Sequence, residues 1–199
     1  AYSRAGVAAF TTSTGYGIAK YDNPEELSVS DRNNIGYQYT DCPLYWISVI
    51  YLNFAEAKAE MGSLTQDDLN NSINKLQARA GLPAMTTTPD ADPANNIGES
   101  NLIWEIRRCR RCELIMDNWY RYWDLIRWHQ LDKLDSTKYP NTMLGANVSN
   151  VPDCEEATKN GYIDASDAQI RTYEAKHYFY PIPTTQLTLN KNMKQNPGW

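Results

Sequence analysis

The sequence predicts a mainly α-helical protein, and two observations lead to that prediction. Apolar residues recur at helical spacing in four segments between residues 44 and 134, with Gly or Asn at the breaks. The flanking stretches, residues 1–42 and 135–176, show no sustained period and are rich in loop-forming residues. We therefore expect a scaffold of paired helices that carries long irregular loops, with room for a short β-hairpin.

The first two predicted helices form a hairpin. From Leu44 to Met61 the apolar residues are nearly continuous before they thin to alanines, so we expect a buried helix that Gly62 ends. The second helix begins with a capping-box-like run at Thr65–Asp68 and continues at helical spacing to a stop at Gly81. The pair is about as long as one tetratricopeptide-type repeat, which predicts tetratricopeptide-like hairpins arranged as an α/α superhelix.

A second hairpin is predicted further along the chain. The apolar stripe of its first helix, the third of the chain, consists of Leu102, Ile106, Cys109, Cys112 and Met116. The fourth helix extends from Trp119 to Leu134, and a break near Asp117-Asn118 separates it from the third. Both hairpins belong to one predicted helical domain that covers residues 43–199.

The remaining segments are expected to lack long helices. Residues 1–42 are a loop and short β segment of the same domain, with a strand or two around Tyr16–Tyr21. Residues 135–176 are an ordered excursion over the surface, and loops of that length are usually functional or form interfaces. Two prolines keep Tyr178–Pro183 extended, and a short helix follows from Thr184 or Thr185.

Composition excludes several classes of protein. The chain has 199 residues, 42% of them hydrophobic, and a net charge of −5, which is typical of a globular domain and unlike a nucleic-acid binder. Its longest near-apolar run, Leu44 to Leu52, is less than half of the ~20 residues that a bilayer requires. The start, Ala1–Arg4, lacks the apolar region of a signal peptide.

Two motifs on the third helix have competing interpretations. The preferred interpretation of Cys109-x-x-Cys112 is a pair of core cysteines. A disulfide to Cys42 or Cys154 is the second alternative, and a metal or redox site is the third. No metal or cofactor is therefore expected. The arginine run 107–111 is read as a structural ion-pair network in preference to an anion patch. Its expected partners are Glu105, Glu113, Asp117 and Asp124.

The aromatic residues provide the candidate binding site. The chain has 14 Tyr and 6 Trp but only 3 Phe, and Tyr and Trp suit half-buried positions because they keep a polar group. No nucleophile, metal triad or distinguished carboxylate pair supports catalysis. Aromatic rings presented from loops hold the apolar faces of sugars, so the ligand contacts we predict lie in loops and at the hairpin break. They are Tyr16, Tyr21, Trp119, Tyr120 and Tyr139.

Six segments of the sequence resemble the C-terminal half of the SusD/RagB family of Bacteroidetes. They are Tyr51–Gly62, Ile73–Pro83, Ile106–Leu114, Arg121–Trp128, Tyr180–Pro183 and Gln195–Trp199. The resemblance covers the chain from about residue 43 to residue 199. One departure is Cys109, which occupies the position of a Glu in the family's Arg-Arg-Glu-Arg-Arg run.

This resemblance implies a surface-exposed outer-membrane lipoprotein that captures glycans or other nutrients for a SusC-like TonB-dependent transporter. Membrane association would then depend only on a lipid anchor that this chain lacks. The resemblance also implies a tetratricopeptide-like scaffold with ligand-binding loops, and no enzymatic activity. Two other hypotheses remain open: a tetratricopeptide-like scaffold that binds a transporter or peptide instead of a sugar, and a glycosidase.

Overall fold

The computed structural model describes residues 12–18, 20, 28, 30, 44–117, 120–151, 158–166 and 169–199. The chain divides into two compact units. The first, called the helical unit below, comprises residues 42–123, and the second, called the loop-rich unit, comprises residues 124–199 with residues 1–41. The predicted division into residues 1–42 and 43–199 stays a prediction.

The helical unit confirms the mainly α-helical fold. Its helices are α1 (Ile47–Glu60), α2 (Gln66–Asn70), α3 (Ile73–Arg79) and α4 (Asn101–Glu113). Both predicted glycine stops are correct, since Gly62 and Gly81 have φ of 67° and 68°. At each, the amide of the next residue donates to the carbonyl five positions earlier, as in a Schellman motif: Ser63 to Lys58, and Leu82 to Gln77.

The second predicted helix is in fact two helices, α2 and α3. Side chains at the break compete for the backbone carbonyls that a continuous helix needs. The Ser72 hydroxyl donates to the Asp68 carbonyl over 2.6 Å, and the Asn71 amide donates to the Asp67 carbonyl over 2.9 Å. The prediction of one helix was wrong, because it relied on the spacing of apolar residues and these bonds are made by polar side chains.

The core of the helical unit lies where α1 faces α3 and α4. Leu52, Ile73 and Ile106 are fully buried in it. The opposite side of α1 is open, with Ile47 and Ile50 about 60% exposed. The prediction that α1 is buried was therefore wrong for this side, because α3 and α4 contact the helix from one direction.

The predicted fourth helix is shorter than expected. Helix α5 covers Tyr120–Arg127, and a separate 3₁₀ turn follows at Leu131–Leu134. His129 interrupts the pattern with φ of 53°, and the next amide, that of Gln130, donates to the Leu125 carbonyl over 2.8 Å. A non-glycine residue thus forms the left-handed helix end, which spacing alone does not indicate.

A three-stranded antiparallel sheet lies within the predicted excursion. Strands β1 (Leu144–Asn147), β2 (Thr158–Lys159) and β3 (Tyr162–Asp164) are ordered β1-β3-β2. Asn160 and Gly161, with φ of 55° and 80°, join β2 to β3 as a two-residue hairpin. The predicted fold class allowed a short β-hairpin, but strands were expected around Tyr16–Tyr21 and not in this segment.

The sheet holds part of the N-terminal stretch. The Ala146 amide donates to the Thr14 carbonyl over 2.8 Å, and Gly145 permits this approach because a side chain there would meet that carbonyl. Residues 16–18 and 20 are described and are not in a strand. The part of the predicted strand that they cover was therefore wrong, and Tyr21 lies outside the described residues.

The C-terminal segment follows the prediction except at Tyr178, which ends a 3₁₀ turn and is not extended. A 3₁₀ turn at Ala175–Tyr178 leads into an extended segment, and helix α6 covers Thr184–Leu189. The indole N–H of Trp199 donates to the Phe179 carbonyl over 2.9 Å, which fastens the chain end to this segment. None of the described helices is long and apolar enough to cross a membrane.

Candidate functional site

Two of the predicted ligand contacts belong to the loop-rich unit and are described. The Tyr16 side chain is exposed, as a ligand-contacting ring must be, and its amide bonds to the Thr14 hydroxyl. Tyr139 is partly buried, and its amide donates to the Asp135 carbonyl over 2.9 Å. Tyr21 and Trp119 lie outside the described residues. The ligand-contact role of all the predicted residues stays a prediction.

Tyr120 belongs to the helical unit, where its ring is engaged by the scaffold. It packs against the helical core and meets the Trp46 ring edge-to-face, with the ring centroids 6.4 Å apart. The guanidinium carbon of Arg110 lies 5.8 Å from the same ring centroid. These contacts of the Tyr120 ring with Trp46 and Arg110 stabilise the packing of the helical unit.

The arginine run forms the predicted structural network, although its main partners differ from those expected. Arg107 is nearly buried and bonds the carboxylates of Glu56 on α1 and Glu99 in the preceding loop, at 3.2 and 2.5 Å. A third carboxylate, that of Glu60, lies 3.3 Å away. Arg108 pairs with Glu105, as expected, and this hydrogen-bonded pair raises the pKa of the guanidinium.

The cysteine pair divides between two environments. Cys109 packs against the helical core, and burial raises the pKa of its thiol to about 12, so the reactive thiolate is scarce at neutral pH. Cys112 is exposed, so the prediction that it lies in the core was wrong. Both are free thiols. No described group of three or more His, Cys, Asp or Glu side chains is arranged to hold a metal ion.

A cavity of about 470 Å³ opens in the loop-rich unit. Ligand pockets typically measure about 300–1,000 Å³, so its size suits a small ligand or one unit of a larger one. Within the described chain, three segments contribute to its lining. The residues are Ser136, Thr137, Pro140, Met143, Leu144, Lys159, Asp164, Ser166, Gln169 and Ile170.

Several polar groups around this cavity already have partners within the protein. The Asp164 carboxylate accepts from both the amide and the hydroxyl of Ser166, at 3.0 and 2.5 Å. Ser136 and Arg171 exchange bonds in both directions, which fixes the first segment against the third. These bonds hold the cavity wall in one arrangement before any ligand arrives.

Two side chains in the lining have no such partner. No described carboxylate lies within ion-pair distance of the Lys159 ammonium, and no described group bonds the side-chain amide of Gln169. Both side chains are exposed. Sequence reasoning missed both residues, although the Asn160-Gly161 dipeptide is a strong hairpin signal that could have placed Lys159 at the end of a strand.

Asp135 lies at the base of the first segment and organises it. Its carboxylate accepts from the hydroxyl and amide of Thr137, at 2.5 and 2.9 Å, and from the Tyr173 amide at 3.1 Å. Bonds from Thr137 and then from Tyr173 lower the pKa of Asp135 to about 2. The carboxylate is therefore ionised at neutral pH and serves the loop conformation.

A second cavity, of about 420 Å³, lies in the helical unit. Its charged lining includes Arg108 and Glu105, which pair with each other. Thr86, Thr88 and Asp90 also line it, so polar groups border both cavities. The cavity in the loop-rich unit is the larger of the two.

The structure is that of a helical-hairpin protein with a cavity in its loop-rich unit, and comparison with known proteins identifies its family. The model of the SusD family matches residues 2–199. A solved structure of a SusD-like protein from Bacteroides fragilis NCTC 9343 is 25% identical, with a TM-score of 0.50. That match covers 76% of this chain and 25% of the other. No curated protein matches the chain significantly. The chain belongs to the SusD family.

Proposed function

We propose that the protein carrying this chain captures nutrients, most often glycans, at the bacterial outer-membrane surface without transforming them. It then delivers them to a SusC-like TonB-dependent transporter. The observation that carries the proposal is the SusD family match, which extends over residues 2–199 and so includes the loop-rich unit. In this proposal a lipid anchor provides the only membrane association.

The geometry supports a division of labour within the described chain. The helical unit has a closed apolar core and a buried network of ion pairs, which suit a rigid support. The loop-rich unit has a walled cavity with uncommitted polar groups, which suits ligand capture. Low affinity is expected, in the micromolar to millimolar range, because each ring or hydrogen-bond contact contributes only about 1 kcal/mol.

Titration of the full-length protein against defined oligosaccharides tests the proposal. Calorimetry or tryptophan fluorescence would be followed for plant, host and fungal glycans at concentrations up to the millimolar range. We expect saturable binding of at least one glycan class and no release of shorter sugars from it. Absence of binding across the whole panel would overturn the glycan version, and turnover would overturn the non-catalytic one.

The second candidate is a tetratricopeptide-like scaffold that binds the transporter or a peptide. The observation in its favour is the apolar side of α1, where Ile47, Ile50 and Phe54 are between 43% and 62% exposed. Capture of the transporter would be compared with and without sugar. Tight, sugar-independent capture by a protein that binds no glycan would favour this candidate over nutrient capture.

A further inference from the structure

We propose that the cavity of the loop-rich unit binds one sugar unit of a glycan, and that Lys159 and Gln169 bond the hydroxyl groups of that unit. The inference rests on the proposed function and adds a place and a chemistry to it. Of the predicted aromatic residues, the three that the structure describes, Tyr16, Tyr120 and Tyr139, do not line this cavity. Tyr139 is the sequence neighbour of Pro140, which does.

The uncommitted polar groups indicate the chemistry of the ligand. The Lys159 ammonium donates, whereas the Gln169 amide both donates and accepts. A sugar hydroxyl also donates and accepts, so neighbouring hydroxyls on one ring can satisfy both side chains. Both side chains are exposed to water in the free protein, so little desolvation opposes binding.

The apolar part of the lining completes the match to a sugar ring. Three of its four apolar residues, Pro140, Met143 and Leu144, come from one continuous segment, at the 3₁₀ turn that leads into β1. The fourth, Ile170, follows Gln169 after β3. The uncommitted polar groups come from two other segments, at β2 and after β3. A pyranose ring has the same division, with hydroxyls at its rim and a C–H face that an apolar wall can contact.

Two other ligand classes fit the lining less well. Asp164 is the only carboxylate in the described lining, and Ser166 already bonds one of its oxygens twice, so a metal ion would lack ligands. An anion would meet Lys159, the one cation in the described lining, but also the nearby Asp164 charge. A neutral, hydroxyl-rich ring satisfies the same groups without either penalty.

The binding wall is also organised in advance. The bonds between Ser136 and Arg171, and between Asp164 and Ser166, form within the free protein. Leu144 of β1 is paired in register with Asp164 of β3, so the apolar and polar segments share the sheet as a common support. A ligand therefore meets a preformed cavity, which reduces the entropy lost on binding.

The test uses the full-length protein and four probes: maltohexaose, cellohexaose, xylohexaose and chitohexaose. Dissociation constants would be measured by calorimetry for the wild type, Lys159→Ala, Gln169→Ala and the double variant. Lys191→Ala and Gln186→Ala are matched controls, because both residues are exposed, lie in the same unit and do not line the cavity. Thermal melts would confirm that every variant is folded.

We expect the probe that binds the wild type to lose about fivefold to tenfold in affinity with each single variant. The double variant should lose about thirtyfold, and the controls should stay within about twofold. Wild-type binding that is unchanged in the double variant would overturn this cavity as the site and leave nutrient capture standing. Failure of all four probes to bind the wild type would overturn the cavity's assignment to these sugars, and the wider glycan panel would then decide the proposed function separately.

Discussion

The helical and loop-rich units use their polar side chains in different ways. In the helical unit, Arg107 reaches Glu56 on another helix and Glu99 in a loop, so buried charges join distant parts of the chain. In the loop-rich unit, Asp135 and Gln195 bond mainly to backbone amides, and they hold loops in defined conformations. Lys159 and Gln169, by contrast, remain open to a ligand.

This difference indicates that the helical unit serves rigidity, whereas the loop-rich unit keeps polar groups available for binding. A network of ion pairs and an apolar cluster can fix helices, but they leave few polar groups available for a ligand. Loops fixed by side-chain-to-backbone bonds keep their shape while exposing other polar groups at the surface. Variants in the two units should accordingly affect different properties, stability in one and affinity in the other.

The largest effect is expected for Arg107→Met in the helical unit. The change deprives the buried Glu56 carboxylate of this cation, and breaking a buried pair costs about 3–5 kcal/mol in the free energy of unfolding. Urea unfolding followed by circular dichroism would measure the loss. Arg108→Met is the matched control, because its exposed pair with Glu105 contributes less than about 1 kcal/mol. Equal losses from both variants would contradict the contrast between buried and exposed arginines.

The next largest effects are expected from truncating one core side chain in each unit. Ile106→Ala removes a fully buried side chain from the larger cluster and should cost about 3 kcal/mol. Ile163→Ala, in the small cluster of the sheet, should cost about 2 kcal/mol, because fewer side chains surround the cavity that it leaves. The same urea experiment compares them, and a larger loss from Ile163→Ala would reverse the proposed roles of the units.

A smaller effect is expected at the start of α2. The Thr65 hydroxyl accepts from the Asp68 amide, while the Asp68 carboxylate accepts from the Thr65 amide, which completes a capping box. Thr65→Ala should cost about 1 kcal/mol in thermal or urea unfolding. Thr65→Ser retains the hydroxyl and should stay close to the wild type, so a similar loss from both would rule out capping as the cause.

Acid should weaken each unit through a different aspartate. Bonds from Thr137 and Tyr173 hold the pKa of Asp135 at about 2, and bonds from Lys58 and Thr65 lower that of Asp68 to about 2. A depressed folded-state pKa stabilises above the unfolded value near 4, and this stability is lost as pH falls toward about 2. Stability curves between pH 4 and 2 should flatten in Asp135→Asn and in Asp68→Asn. If the pH dependence of stability in either variant equals that of the wild type, that aspartate does not contribute to the acid effect.

Much of the scaffold could be predicted from the sequence, because it depends on local signals. Apolar spacing located α1 and α4, and Gly62 and Gly81 end helices where expected. The breaks at Ser72 and His129 were missed. They depend on side-chain competition for carbonyls and on a left-handed non-glycine residue, and neither changes the apolar period.

The candidate site could be predicted only in part. Aromatic content pointed to the loops, and Tyr139 does lie beside the segment that lines the cavity. The cavity itself depends on long-range pairing, since β1 meets β3 and Ser136 meets Arg171 across 35 residues of chain. Gln169 has no distinguishing local pattern, and the Asn160-Gly161 hairpin signal places Lys159 at a strand end without indicating a cavity. Only the folded structure brings the two residues together.

Hydrogen–deuterium exchange on the full-length protein tests the separation of scaffold and site most directly. Exchange would be compared without sugar and with whichever of the four hexasaccharides binds, at a saturating concentration. We predict slower exchange in residues 136–144 and 158–170, with α1 and α4 unchanged. Protection confined to α1 and α4, with none around the cavity, would contradict the account.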